Sequence, residues 1–402
     1  MDLRLVHIVP FFGASAQYGG MDRAAQGICS ALAERGVSVT VLTTDYGVKI
    51  AASRSEGGGG LKAGVTVRRS RSMLEELNDI VELYIVRGFR KLCRDHVRSA
   101  DIVHFHGARS FENLVGGRIV MGMKKPYVVQ PHGSMSPTLS KTLLKNLYDK
   151  GFGRRHFRNS SAMIATSTSE RKSLELFEIP PDKIALIPNG VDRSYWAMSD
   201  AQEPNFRTEY SIAEDAPLVL FVGRLDFTKG LNNLVRAFAE SAARIPSARL
   251  VLIGQDFGSE TVVRNISRAL GMEKRINILG ALRRDDIRRA FQTATVTVLP
   301  SKSESFGLAA LEAAAAGCPV IVSNSIGVAP YFEAIDGMVI EPDKSALVEM
   351  LDMILSDERF RKLEQSKLDL MRWSDFAWPT IASSLVHLYA EILSRQDTPQ
   401  LT

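Results

Sequence analysis

Short apolar runs, most of them closed by glycine or proline, alternate with amphipathic stretches along the chain, and that alternation limits the fold more than any other feature. Leu3–Pro10, Val37–Thr44, Asp101–Gly107, Pro126–Gln130, Leu218–Gly223, Ala248–Gly254, Ile276–Gly280 and Thr295–Leu299 read as strands of the kind a parallel sheet buries on both faces. Helical patterns lie between them, such as Met21–Gly36 with Ala24, Ile28 and Leu32 four residues apart, and Leu231 onward with Leu234, Ala237 and Phe238. Strand and helix in alternation predict doubly wound α/β domains whose ligand loops lie at the carboxyl ends of the strands. A chain of 402 residues is too long for one core. Two domains are expected, 1–190 and 191–375, with a last helix in 376–402 and a proline-broken linker over Asn189–Ala216.

Composition removes several classes. Hydrophobic content of 45% and charged content of 24% are those of a soluble globular protein. There is no run of about 18 apolar residues, and the N-terminus reads as a buried strand without a small-residue cleavage site, so the expectation is a cytoplasmic protein. Cys29, Cys93 and Cys318 have no paired spacing, which argues against a disulfide framework and a structural zinc site. The net charge of +5 is unevenly spread: Met1–Val191 has 27 Lys+Arg against 17 Asp+Glu (+10), the rest 23 against 28 (−5). A basic first half fits a phosphorylated substrate, an anionic membrane or nucleic acid. No aromatic-interleaved basic motif supports the last.

Leu299–Val320 is a strand, a polar loop and an alanine-rich helix starting at about Gly307. Pro300 ends the strand, and Ser303 and Ser305 are candidate caps for the helix. The backbone N–H groups of Ser305, Phe306, Gly307 and Leu308 would face an anionic or oxygen-rich ligand at its positive end. Glu304 and Glu312 frame that end and can accept hydrogen bonds from sugar hydroxyls, or can be merely solvated acids. Upstream, Arg224 and Lys229 follow a strand and precede a helix, a place for two phosphates. Gly19 and Gly20 precede the first helix without a GxGxxG, so a nicotinamide or flavin fingerprint is absent. His104 and His106 share one face of their strand with no third ligand expected nearby, and His132-Gly133 follows the strand broken at Pro131. A basic helix over about Asn78–Val97 is expected, and Ser53–Gly64, with four consecutive glycines, is an excursion no core would contain. The helix expected over Pro137–Arg158 carries Leu143, Leu144, Leu147, Tyr148 and Phe152 on one face and six cations elsewhere, a pattern for packing on its own sheet or for weak attraction to an anionic membrane.

Several of these stretches resemble the retaining glycosyltransferases of family 4, of GT-B fold: SESFGLAALEAAAAGCPV with its two glutamates eight positions apart, Val-Gly-Arg-Leu-x-x-x-Lys-Gly at 222–230, His132-Gly133, ATS-x-x-E, IPNGVD and Gly19-Gly20. The resemblance implies two Rossmann-like domains facing across a cleft, with the last helix crossing back onto the first. It implies that a nucleotide-diphosphate sugar is held with Glu312 on the ribose, Arg224 and Lys229 on the diphosphate, and Glu304 with the Phe306–Leu308 amides on the sugar. Gly19 and Gly20 would approach the diphosphate, the Leu279–Leu282 backbone the base, and His132 the transferred sugar. Catalytic roles fall on His132, Arg224, Lys229 and Glu304, with no cofactor and no metal, in keeping with the lack of an Asp-x-Asp motif. The expected activity is retaining transfer of a hexose to a saccharide acceptor, lipid-linked and beside the inner face of a bacterial membrane, in exopolysaccharide or lipopolysaccharide synthesis. A nucleotide-sugar epimerase or hydrolase and a noncatalytic partner subunit of the same fold stay open as alternatives.

Overall fold

The computed structural model describes residues 3–13, 19–45, 64–72, 86–135, 148–199 and 204–397. The chain divides into two compact units, 1–190 with 374–402, and 191–373. The second boundary falls two residues before the one expected from sequence.

Unit 1 is built on an eight-stranded sheet of order β4-β3-β2-β1-β5-β6-β7-β8. Its strands are β1 (Arg4–Ile8), β2 (Ser38–Thr44), β3 (Val65–Ser72), β4 (Val86–Arg87), β5 (Ile102–His106), β6 (Tyr127–Gln130), β7 (Ala162–Ala165) and β8 (Ile184–Leu186). All pairs are parallel except β3 with β4. The central strands are buried end to end because helices cover both faces: β5 and β6 are buried at every position, the polar His104, His106 and Gln130 included. Helix α1 (Gly20–Glu34) follows β1, α2 (Phe89–Val97) precedes β5, α3 (Phe111–Gly122) follows it, α4 (Arg154–Arg158) precedes β7, and α5 (Thr168–Leu176) follows β7. The basic helix expected over Asn78–Val97 is shorter than that. Residues 86–87 form a strand, and Gly88 at φ 81° lets the chain turn into α2. Residues 73–85, like most of the glycine-rich excursion, lie outside the described residues.

Of the helix expected over Pro137–Arg158, residues 137–147 lie outside the described residues, and with them Leu143, Leu144 and Leu147. The remainder is a π turn, Asp149–Gly153, running into α4. Phe152, His156 and Phe157 are buried while Arg154, Arg155 and Arg158 are exposed, so this part packs its apolar side inward. Gly117 of α3 makes room for it: a Cβ there would lie 2.8 Å from the Phe152 ring.

Unit 2 has a six-stranded parallel sheet of order β11-β10-β9-β12-β13-β14. The strands are β9 (Leu218–Val222), β10 (Arg249–Ile253), β11 (Ile276–Leu279), β12 (Val296–Leu299), β13 (Val320–Ser323) and β14 (Val339–Ile340). Helices α6 (Leu231–Arg244), α7 (Glu260–Ala269), α8 (Arg284–Thr293) and α9 (Leu308–Ala315) connect them in turn, and α10 (Lys344–Ser356) and α11 (Glu358–Lys367) follow β14. The stretch expected as a linker is packed structure. It holds two short helical segments, Arg193–Ala197 and Phe206–Glu209, anchored by Trp196 and Phe206, which are 1% and 0% exposed. Two large apolar side chains that find a core outweigh the proline breaks.

The last helix, α12 (Trp378–Asp397), belongs to unit 1 and lies against α1. Ile381, Leu385, Tyr389 and Ile392 join one cluster with Leu3, Leu5, Ile28 and Leu32. Gly27 and Gly190 accept the Trp378 indole, since a Cβ on either would stand 2.1 and 2.5 Å from it. Among the described residues no helix is long and apolar enough to cross a membrane.

Candidate active site

Both sheets reverse winding direction once. In unit 2 the chain runs outward from β9 to β10 and β11, then returns to lay β12 on the other side of β9. A crevice therefore opens between the carboxyl ends of β9 and β12, the place where doubly wound sheets take ligands.

The loop after β9 carries Arg224 and Lys229. Asp226 accepts the Thr228 N–H at 2.8 Å and caps a 3-10 turn, Phe227–Lys229. Gly230 follows at φ 69°, and a Cβ there would stand 2.1 Å from the Pro300 carbonyl oxygen. Glycine is what allows this loop to touch the loop after β12. The Lys302 N–H closes the seam by donating to the Thr228 carbonyl at 2.7 Å. Lys229 Nζ is thereby held 3.0 Å from Glu304 Oε2, with the two side chains 11% and 22% exposed. Arg224 stays half-exposed, its guanidinium 5.2 Å from the Phe257 ring centre and 3.5 Å from the Asp226 carboxylate.

The Glu304–Phe306 segment is braced from behind. The Glu304 carbonyl accepts the Gly327 N–H at 3.0 Å and the Phe306 carbonyl accepts the Val328 N–H at 2.6 Å. Ser303 and Ser305 do not cap the helix as expected. The N-cap of α9 is Gly307, in the left-handed region at φ 98° and without a side-chain cap. Its missing Cβ would meet Ile326 and Val328 at 3.0 and 3.1 Å, so close packing against the brace sets the helix start. The helix thus starts without a side-chain cap, three residues after the Glu304 that Lys229 holds. Glu312, on α9, is 3% exposed. Leu282 is half-buried in the loop after β11, at the same sheet edge but two strands from β9.

Unit 1 repeats the arrangement between β1 and β5. Gly19, at φ 76°, is the N-cap of α1, and Gly20 is its first residue; residues 14–18 lie outside the described residues. His132 lies after β6 at φ 51°, a strained conformation for a residue with a Cβ. Glu170 helps hold it there. Its Oε1 accepts the Gly133 N–H at 2.5 Å, its Oε2 accepts the Thr166 N–H and hydroxyl at 2.8 and 2.6 Å, and its own N–H donates to Ser167 at 3.1 Å. Burial raises the Glu170 pKa, and the Thr166 and Gly133 hydrogen bonds act against it. No ligand role fell to Glu170 from sequence, although Ser167-x-x-Glu170 is a capping pattern that marks it.

The expectation that His104 and His106 lack a third neighbour is wrong. His7 of β1 is in register with His104, and parallel pairing sets all three imidazoles on one face. Among the described residues these three form a group whose ligand nitrogens lie within 4.8 Å of one another, a candidate metal triad by distance. His7 Nδ1 is 3.0 Å from His106 Nε2, His106 Nδ1 is 3.0 Å from His132 Nε2, and His104 Nδ1 is 2.7 Å from the Tyr389 hydroxyl. Burial pushes His7 and His132 down to about 3 and holds His104 and His106 well below the usual range, so all four are neutral at pH 7.

Family comparison decides what this pair of sheet edges is. Residues 18–195 match the model for Glycosyltransferase Family 4, and residues 202–367 match the model for Glycosyl transferases group 1. The chain is a family 4, group 1 glycosyltransferase. An uncharacterized glycosyltransferase of Methanocaldococcus jannaschii is 26% identical to it over 388 residues, 92% of this chain and 94% of that one. A GDP-mannose:cellobiosyl-diphosphopolyprenol alpha-mannosyltransferase of Xanthomonas oryzae is 29% identical over 258 residues, 62% of this chain and 63% of that one. Anabaena HepE, solved in complex with UDP and glucose, shares the fold with a TM-score of 0.76 at 18% identity, covering 97% of this glycosyltransferase and 100% of HepE. The architecture is GT-B, with two parallel-sheet α/β domains.

Proposed function

We propose that this glycosyltransferase moves a hexose, with retention at the anomeric carbon and without a metal, from a nucleotide-diphosphate sugar to a lipid-linked saccharide acceptor. The observation that carries the reading is the convergence of Arg224, Lys229, Glu304 and the uncapped start of α9 at the winding reversal of unit 2. Breaking the anomeric C–O bond develops positive charge on the sugar and negative charge on the departing diphosphate. Lys229 and Arg224 offset the latter from fixed positions, the task a divalent ion would otherwise perform. Glu304 and the first-turn amides of α9 take the sugar hydroxyls, Glu312 takes the ribose, and the Leu282 loop takes the base. His132 receives the sugar contact that its motif implies, and Gly19 and Gly20 the approach to diphosphate. Retention fits a front-face displacement assisted by the leaving phosphate.

The lipid-linked acceptor draws on the Xanthomonas relative, named for a cellobiosyl-diphosphopolyprenol acceptor, and on the excess of ten positive charges in Met1–Val191. An enzyme of this kind works at the inner face of the membrane in exopolysaccharide or lipopolysaccharide assembly. The test is a thermal-shift and calorimetric screen against UDP, GDP, ADP and CMP and their sugar conjugates, with and without EDTA. Transfer to polyprenyl-diphosphate saccharides in anionic vesicles is then assayed. Stabilisation by one nucleotide that survives EDTA, followed by transfer, is the expected result. Silence toward every nucleotide would discard the donor site, and turnover of donor without acceptor would make the protein a hydrolase or epimerase.

A further inference from the structure

We infer that Arg109 is a positioning residue for the His132 turn: its guanidinium holds the Ser134 carbonyl and so keeps His132 in the left-handed conformation from which it meets the sugar. The inference rests on the proposed sugar contact of His132. The clamp itself is independent of that reading.

The turn is tight and strained. The Ser134 N–H donates to the Pro131 carbonyl at 3.1 Å, and the two central residues, His132 and Gly133, have φ 51° and 82°. Positive φ at both central positions is the pattern of a type I′ turn, which favours Gly, Asn or Asp at each. Gly133 takes it freely. His132 does not, because in this conformation its Cβ crowds the following carbonyl oxygen. Strain of this kind persists only where the surroundings over-determine it. Glu170 supplies one anchor, on the Gly133 N–H. The Ser134 hydroxyl supplies another within the turn, donating to the Pro131 carbonyl at 2.7 Å. Arg109 supplies the anchor at the exit, where its Nη1 donates to the Ser134 carbonyl.

Arg109 is itself fixed. It lies in the loop after β5, where its Nε and Nη2 donate to the two carboxylate oxygens of Asp149 at 3.0 and 2.8 Å, with the two side chains 12% and 9% exposed. Gly153 leaves room for that carboxylate, since a Cβ there would stand 2.8 Å from Asp149 Oδ1. The Phe177 ring centre lies 5.5 Å from the guanidinium carbon. A guanidinium can serve a carboxylate and a carbonyl together because its donors spread outward in one plane; an ammonium has no such fork. One side chain thus gathers Ser134 and Asp149 to the loop that follows β5. Without the Ser134 contact His132 is free to relax toward negative φ, which redirects its side chain at the sheet edge. Misplacing a group that contacts the reacting sugar lowers rate. Donor affinity is expected to change little, because the proposed diphosphate cations, Arg224 and Lys229, belong to unit 2.

The experiment uses full-length Arg109→Lys, which keeps a charge opposite Asp149 and gives up the bond to Ser134. A kcat down roughly tenfold is expected, with KM for the donor little changed and a melting temperature close to wild type. In a His132→Ala background the same substitution is expected to change kcat by less than about twofold, because Arg109 acts through His132. An equal loss in both backgrounds overturns the inference, and so does a wild-type kcat in Arg109→Lys. The turn is also read without any turnover, from the backbone couplings and Cα shift of 13C,15N-labelled His132. Wild type is expected to show a left-handed φ and Arg109→Lys a mixture of conformations; an unchanged His132 signature in the variant overturns the inference. Should wild type turn over no nucleotide sugar, the functional proposal fails while these spectra still decide the clamp. If Arg109→Lys does not fold, Asp149→Asn, which loosens the fork and leaves the guanidinium in place, is held to the same outcomes.

Discussion

Replacing Lys229 by alanine removes one charge from a site whose geometry allows the outcome to be estimated. Lys229 Nζ stands 3.0 Å from Glu304 Oε2. At an effective dielectric of about 20 a pair at that distance attracts by about 5 kcal/mol before desolvation is counted. A phosphate oxygen arriving at similar range competes with Glu304 for the same ammonium, so ground-state binding gains only a fraction of that. Under the proposed assignment the leaving diphosphate carries more negative charge in the transition state, and the difference would appear in turnover. Loss of one such preorganised donor costs about 3 to 4 kcal/mol, which is on the order of 100- to 1000-fold in kcat. Stability responds less, because Glu304 keeps 22% of its side chain in solvent and the Ser301 hydroxyl 3.2 Å away. About 1 kcal/mol is expected, a Tm shift on the order of 2 to 4 °C. The assay is steady-state donor turnover beside a melting curve, with Lys229→Arg as the variant that keeps the charge. A Lys229→Ala enzyme within about threefold of wild type in kcat would refute the assignment of this cation to the leaving group.

Two further perturbations address unit 1. Glu112, 0% exposed in the first turn of α3, has its pKa raised by burial from 4.5 to about 7. The folded state therefore holds this proton more tightly than the unfolded one, and stability is full below about pH 4.5 and falls by about 3 kcal/mol as pH rises through 7. In urea titrations from pH 4 to 8 Glu112→Gln is expected to flatten that fall, and equal pH slopes in both proteins would contradict the shift. Glu170→Ala strips the Gly133 and Thr166 anchors and should destabilise unit 1 by about 3 kcal/mol. It should also lower turnover at temperatures where the protein remains folded; activity that tracks the folded fraction alone would mean that the His132 turn does not need Glu170.

The strands were legible in the sequence because parallel strands covered on both faces leave uninterrupted apolar runs, and the loops that follow them carry Arg224, Lys229, Glu304 and His132. What joins those loops was not legible. Nothing in Lys229-Gly230 says that Gly230 must clear the Pro300 carbonyl, and nothing in Pro131-His132-Gly133 says that a carboxylate 37 residues later will take the Gly133 N–H. Such bonds depend on which strands neighbour one another, and the order β11-β10-β9-β12 is a property of the winding rather than of any local stretch. His7 was missed for the same reason: it is 97 positions from His104 along the chain and directly beside it across the sheet. Ser303 and Ser305 misled because cap propensity is local, whereas the start of α9 is set by contact with Ile326 and Val328.

The placement of α12 governs the order in which the protein can be made. Unit 2 is one unbroken segment, 191–373, and has all of its residues as soon as that segment has been synthesised. Unit 1 does not. Its core lacks Ile381, Leu385, Tyr389 and Ile392 until residues 378–392 leave the ribosome, and the seat for Trp378 beside Gly27 and Gly190 stays unfilled until then. The half synthesised first is thus the half that finishes last. During translation an apolar face on α1 waits in the open while the later domain closes, and any chain released short of Trp378 is left with that face bare, a ready target for chaperones and proteases.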